Sequence, residues 1–132
     1  MTKNKTVLIN YPIGDYFIRI KNAYLANNHE FSVPKTKLIL AVSKVLKKEG
    51  FIDEIKEVSN QLNIRLTYKN KKPVIMDIRL ISKPGLRVYK RAKNLEKTKK
   101  PSIYIVSTPK GIFSSKEAIK KRLGGEIIAE IW

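Results

Sequence analysis

Cysteine is absent from this chain of 132 residues, histidine occurs once, and 11 acids stand against 28 lysines and arginines. Each shortage removes a class of function. Without a thiol there is no disulfide framework and no thiolate nucleophile. The lone His29 leaves little for a metal centre, and one histidine with three aspartates is a thin inventory for a nucleophile, a base and an orienting group. The longest unbroken apolar run is Leu38 to Val42, far short of a membrane span. The opening "MTKNKTVLIN" has too brief an apolar stretch for a signal peptide. The expected location is therefore the cytoplasm, which leaves the Asn4-Lys5-Thr6 sequon idle. Glycine motifs do not restore an enzyme. "PGLRVYKR" lacks the second glycine of a phosphate loop, and "LGGE" precedes a strand where a dinucleotide site needs a helix.

What is present is positive charge and enough apolar content for one packed domain or two small ones sharing an interface. The formal net charge is +17 with 42% hydrophobic residues. Such an excess draws polyanions, either nucleic acid or an anionic membrane. It is unevenly spread: residues 82 to 125 hold thirteen basic residues and two acids, a net +11. The apolar stripes of the two amphipathic helices below are narrow enough to be consumed by a core, which argues against a membrane surface.

From Pro12 the pattern is helical, with Ile13, Phe17, Ile20 and Tyr24 on one stripe and proline in the first turn. An extended piece around Phe31 to Val33 leads to a second helix over about 35–49, striped by Leu38, Val42, Val45 and Leu46 and stopped by Gly50. The period then becomes two, in "FIDEIKEV" and "LNIRLTY", joined across Ser59-Asn60 as a hairpin. "KNKKP" reads as a basic loop tip, and "VIMDIRLI" as a strand that completes this sheet or leaves it. A second unit starts at the turn "SKPG" and continues with strands "LRVY" and "SIYIV", the stretch "STPKGIFSSKEA", a short helix over about 115–123 and a last strand "EIIAEIW". Ser114 and Glu117 have capping-box spacing. The predicted fold class is α+β: two small α/β subdomains packed together, residues 1–81 (α-β-α-β-β, with 1–10 as a flexible leader) and 82–132 (mostly antiparallel sheet with one short helix).

Nucleic-acid binding fits this inventory. Lysines such as Lys83, Lys110 and Lys116, with Arg87, supply phosphate attraction, while Ser107, Thr108 and Ser114 offer groups sized for sugar hydroxyls. A short hydroxyl-rich loop can lie against the wide, shallow minor groove of double-stranded RNA. The same stretch is equally a plain strand-to-helix connection with a cap. Tyr89, among Arg87, Lys90 and Arg91, could stack on a base or pack; composition favours neither.

The blocks "YPIGDYFIRIKNA", "VPKTKL", "LKKEGFI", "ISKPGLRVYKR", "VSTPKGIFSSKEA" and "LGGEIIAEIW", in this order, make the chain resemble the bacterial S-eight family, the eighth protein of the small ribosomal subunit. The resemblance implies two joined α/β subdomains and no enzymatic activity, cofactor, metal or small-molecule substrate. It implies binding to a helical element in the central domain of small-subunit rRNA, contacts with neighbouring small-subunit proteins, and, as in many bacterial members, repression of the chain's own operon through a similar mRNA structure. Carried over, the RNA-contacting set is Ser107, Thr108, Lys110 and Gly111, with Tyr89 beside it and Gly124, Gly125 and Glu126 opposite; the alternative for Glu126 is a pairing with a lysine such as Lys121. Weaker contacts are expected from Arg19, Lys21 and Asn22 of the first helix and from Lys56. The chain departs from the family at Pro109, where a second serine is usual, and at "KTKKPS", where a glycine-containing turn is usual. A general RNA chaperone or nucleoid-type binder would share the charge but need no defined site.

Overall fold

The computed structural model describes residues 11–95 and 102–132; the expected leader and most of "KTKKPS" fall outside them. Helix α1 (Pro12–Leu25) starts on its proline and buries Ile13, Phe17, Ile20 and Tyr24 as the spacing predicts. It ends where Asn27 turns left-handed (φ 56°) and Asn28 N–H reaches back to the Ala23 carbonyl at 2.8 Å. Strand β1 (Glu30–Pro34) leads to helix α2 (Lys37–Lys48), capped by Thr36, whose hydroxyl accepts from Ile39 N–H. The stripe of α2 differs from the predicted one. Leu38 is 41% exposed, and the inward positions are Ile39, Val42, Ser43 and Leu46, the regular i, i+3, i+4, i+7 set. Ser43 tolerates burial because its hydroxyl is hydrogen-bonded to the buried Tyr16 hydroxyl at 2.6 Å.

The hairpin falls as expected: β2 (Ile52–Val58) and β3 (Gln61–Leu66) pair with Val58 opposite Gln61, and Ser59 takes a positive φ of 55°. Strand order in this sheet is β1-β3-β2, all antiparallel. The basic tip is itself a small hairpin, β4 (Tyr68–Lys69) and β5 (Lys72–Pro73), turned by Asn70 and Lys71, both at positive φ.

The segment predicted as "VIMDIRLI" contributes three strand residues, β6 (Ile78–Leu80), and they leave the first sheet. They pair with the final strand β10 (Gly125–Ile131) in a five-stranded sheet with β8 (Ile103–Thr108) and β9 (Gly111–Ser114), ordered β6-β10-β8-β9, with β7 (Tyr89–Lys90) also on β10. Between β7 and β8, a short helix α3 (Ala92–Leu95) appears that periodicity did not announce. The stretch read as a loop is a hairpin: β8 and β9 pair with Thr108 opposite Gly111, so only Pro109 and Lys110 turn. Proline suits the first corner of such a turn, where its φ is preset and the ladder needs no N–H. Helix α4 (Ser115–Lys120) follows at once, capped by Ser114 as predicted, with the Ser114 hydroxyl accepting from Glu117 N–H. It stops earlier than expected because Arg122 adopts φ 56° and Leu123 N–H bonds the Ala118 carbonyl. A register shift separates Ile127 from Ala129 in the β8–β10 ladder.

One hydrophobic core serves both halves. Tyr16, Phe17, Ile20, Val42, Leu46, Leu62 and Ile64 meet Ile105, Ala129 and Ile131 of the second sheet. Each such large side chain contributes roughly 1.5–3 kcal/mol when fully buried. A smaller cluster of Leu95, Val106, Ala118 and Ile127 lies on the other face, under α3 and α4. No described helix is long and apolar enough to cross a membrane.

Candidate nucleic-acid interface

Three strands bring the central residues of the candidate site into a single row. In β10, Glu126 lies opposite Tyr89 of β7 on one side and opposite Ser107 of β8 on the other. Directly paired residues share a sheet face. Along β8 that face runs Ile103, Ile105, Ser107, apolar where it joins the shared core and polar beyond. The row is thus the uncovered end of a core-facing surface. Tyr89 is 68% exposed.

Gly124 and Gly125 serve the backbone. A Cβ at Gly125 would stand 2.0 Å from the Ser107 carbonyl oxygen, and one at Gly124 would stand 2.5 Å from the Lys90 carbonyl oxygen. Only glycine lets the chain enter β10 between β7 and β8 at this distance. Arg87 donates to the Glu126 carboxylate at 3.1 Å, so that carboxylate is paired with Arg87 rather than with Lys121, whose ammonium lies over the Phe113 ring. The Arg87 guanidinium also sits 5.7 Å from the centre of the Tyr11 ring. Tyr11 in turn donates to the Ser82 carbonyl at 2.6 Å and fills the space left by Gly14, where a Cβ would come within 2.4 Å of the ring. Burial raises the Tyr11 phenol pKa, opposed by Arg87. The "YPIG" block thereby holds the arginine that holds Glu126, a role no helical periodicity reveals.

The hydroxyls of the predicted loop divide into two kinds. Ser107 is half-buried at the row's end. Thr108 donates to the Gly111 carbonyl at 2.8 Å and accepts from Lys110 N–H at 3.1 Å, so its side chain closes the hairpin turn. Gly111 takes φ 131°, a conformation L side chains avoid. Ser114 is 2% exposed and engaged as the cap of α4, which removes it from the accessible set. Lys110 projects from the exposed turn. Lys116 is exposed on α4, whose Ala118 packs on the opposite face of the sheet, so it lies apart from the row.

An open groove of about 600 Å³ adjoins the row, bounded by Tyr89, Gly124 and Gly125 together with Arg91, Asn94 and Arg122. The last three were not singled out from sequence. Arg91 was visible only as part of a charge run, and Arg122 joins the groove because it ends α4 in a left-handed conformation. Among the described residues no carboxylate comes within ion-pair distance of Lys83, Arg91, Lys110, Lys116 or Arg122.

The weaker candidates are more occupied. Arg19 is held by Asp15 at 2.9 Å and donates to the Ser32 carbonyl, Lys21 faces Asp77 at 3.6 Å, and Asn22 is exposed beside it. Lys56 sits on β2, the far strand of the other sheet, 3.8 Å from Glu54. No described group of acidic or imidazole side chains could hold a metal ion.

The family model described as "Ribosomal protein S8" matches residues 11–132. The chain belongs to this family. Among its relatives, the protein named "Small ribosomal subunit protein uS8" from Nostoc punctiforme is 42% identical over 130 residues, covering 93% of this chain and 98% of the relative. The proteins of the same name from Nitratidesulfovibrio vulgaris and Roseiflexus castenholzii are 38% and 35% identical, covering 92% and 94% of this chain and 97% and 98% of theirs. The family match contains the whole of the row, the hairpin and the groove, and it is a family of ribosomal proteins rather than of enzymes.

Proposed function

We propose that this chain is a structural constituent of the small ribosomal subunit in the cytoplasm, binding a helical element in the central domain of small-subunit rRNA and helping to assemble it. The reading treats residues 82–132 as the unit that carries most of the specific contacts and 1–81 as its support. The observation that carries it is the row of Tyr89, Glu126 and Ser107 across three strands, beside a groove whose arginines have no carboxylate within ion-pair distance among the described residues.

Each part has a chemical task. The exposed Tyr89 ring offers a stacking platform for an unpaired base. Glu126 can only accept hydrogen bonds, and base amino groups are among the few donors it can meet on RNA; Arg87 offsets the charge that would otherwise repel phosphate. The compact turn at Pro109-Lys110 fits a shallow minor groove, with the Ser107 hydroxyl toward ribose and Lys110 toward phosphate. Arg91 and Arg122 add sequence-independent attraction. A similar helix in the chain's own operon mRNA would occupy the same surface, so repression would operate by competition with rRNA. Neighbouring small-subunit proteins complete the partner set; no cofactor, membrane or small-molecule substrate enters.

The test is titration of the full chain with the central-domain rRNA helix and with a random duplex of equal length at matched salt. A clear preference for the rRNA helix, reduced by Glu126→Gln while duplex affinity holds or rises, is expected. Equal affinity for the two RNAs would favour a general RNA chaperone and overturn the proposal.

A further inference from the structure

The outer edge of β6 carries hydrogen-bonding groups that the sheet does not use. Asp77 and Trp132 exchange backbone hydrogen bonds in both directions, and Ile81 N–H bonds the Ile128 carbonyl. Antiparallel alternation then points Arg79 at β10 and turns the N–H and C=O groups of Ile78 and Leu80 outward. The Asp77 carboxylate accepts from Ile78 N–H at 2.8 Å. That leaves the Leu80 N–H and two carbonyls facing a groove of about 290 Å³ between β6 and α1. Its floor is apolar, with Ile78, Leu80 and the 38%-exposed Ile18, and its rim carries Lys21, Arg79 and Lys83.

We infer that this groove docks an extended acidic peptide segment of a partner protein, added as a further strand along β6. Two observations choose this occupant. The outward groups alternate donor and acceptor along a strand, a pattern that another peptide backbone matches, whereas RNA phosphates offer acceptors alone. The rim is cationic but weakly so: Arg79 is bound to Glu130 at 2.8 Å and Lys21 approaches Asp77, while Lys83 has no carboxylate within ion-pair distance among the described residues. One or two glutamates placed opposite Lys83 complement that charge, and the alternate side chains meet the apolar floor. The groove lies along β6 and α1 rather than in the row of Tyr89, Glu126 and Ser107, but its rim includes Lys21 and Lys83, which are also candidate RNA contacts, so competition by RNA is one outcome of the test.

The test uses the full chain and the capped peptide Thr-Glu-Val-Glu-Val-Glu-Thr, with its lysine-for-glutamate counterpart as control, read by amide NMR shifts and hydrogen exchange. The acidic peptide is expected to shift the amides of Ile18 and of residues 78–83 and to protect the Leu80 N–H; the lysine peptide is expected to do neither. Leu80→Pro removes the outward donor without touching the β10 ladder and should weaken binding by about three- to tenfold, the effect of one net hydrogen bond. Ile18→Glu, on the exposed side of α1, should weaken it comparably and stands in if the proline variant does not fold. Absence of saturable binding, equal binding of the lysine peptide, shifts confined to the Thr108–Gly111 hairpin, or displacement of the peptide by a duplex RNA that shifts the same amides would each overturn the proposal.

Discussion

Residues 11–81 and 82–132 each carry thirteen lysines and arginines, but they dispose of them in opposite ways. The first stretch has seven acids, six of which sit within ion-pair distance of a cation from the same stretch. In the second, among the described residues, Glu117 and Glu130 are taken by Lys48 and Arg79 from the first, and Glu126 pairs with Arg87 of the same stretch. The second half therefore lends two of its acids to the first and, among the described residues, leaves most of its cations without a carboxylate. Glu130 is buried and also accepts from the Ser102 hydroxyl, whereas the exposed pairs of the first stretch each contribute little to stability, typically about 0.2–1 kcal/mol. Their effect is on the field: charge left without partners is concentrated around the groove and hairpin more sharply than the residue counts suggest.

The comparison breaks hardest at the backbone. Gly125→Ala, with a backbone oxygen in the way, should destabilise the fold by about 3 kcal/mol and uncouple β10 from β8, whereas Gly50→Ala, which meets nothing within 4 Å, should cost only the left-handed conformation, about 1–2 kcal/mol. Urea midpoints of the two variants test this, and equal losses would show that close approach is not what Gly125 secures. Next in size are the aromatics. Tyr89→Ala should weaken binding to the rRNA helix by about 1–3 kcal/mol, while Tyr68→Ala, which removes the stacking partner of His29 in the first half, should change it by less than about 0.5 kcal/mol. A smaller contrast lies in salt dependence. Arg91→Ala or Arg122→Ala should each lower the log–log slope by about 0.7–0.9, and Arg65→Ala, between Glu30 and Asp53, should leave it unchanged.

The smallest effect concerns acid. Asp77 accepts from Ile78 N–H and lies near Lys21, which together hold its carboxyl below the usual value near 3.8. A depressed folded pKa means its contribution is complete above that ordinary value and fades as pH falls through the lower, folded one. Asp77→Asn should therefore flatten the stability profile at the acid end of a urea series run from about pH 5 to pH 2, and an unchanged slope would remove this group from the account.

Much of this was legible because apolar spacing is a strong signal where an element is long. The stripe of α1, the β2–β3 hairpin and the cap on α4 follow from period and turn chemistry alone. The stripe of the second helix is only half legible: Val42 and Leu46 are buried as expected, but Ile39 and Ser43 take the other inward places, and apolar spacing gives no sign that Ser43 meets the Tyr16 hydroxyl 27 residues upstream. The β8–β9 hairpin was hidden by its serines and glycine, which look like loop residues until Thr108 is seen bonding across the turn. The candidate site was found through family resemblance more than through physics. Spacing could not show that Tyr89, Glu126 and Ser107 are neighbours, since that depends on long-range register, nor that Tyr11 would support Arg87 from the other half of the chain. Conversely, Ser114 carried the right chemistry at the right spacing and lies buried in structural use.

The register shift in β10 has a consequence for how such a surface could arise. On β8, Ile103, Ile105 and Ser107 follow strict alternation; on β10 their partners are Ile131, Ala129 and Glu126, with one residue too many between the last two. Ile128 works as a half-period phase slip. Were the alternation unbroken, Ile127 would stand beside Ser107, and Glu126 would fall on the side where Leu95, Val106 and Ala118 close together. The bulge thus absorbs one extra residue, so the polar end of the sheet keeps its face to solvent while the other end keeps the same packing. Deleting Ile128 would leave Ile127 opposite Val106 and Glu126 beside Ser107, so the site's sidedness would survive, whereas a slip that irons out the bulge with Ile128 in place would reverse it.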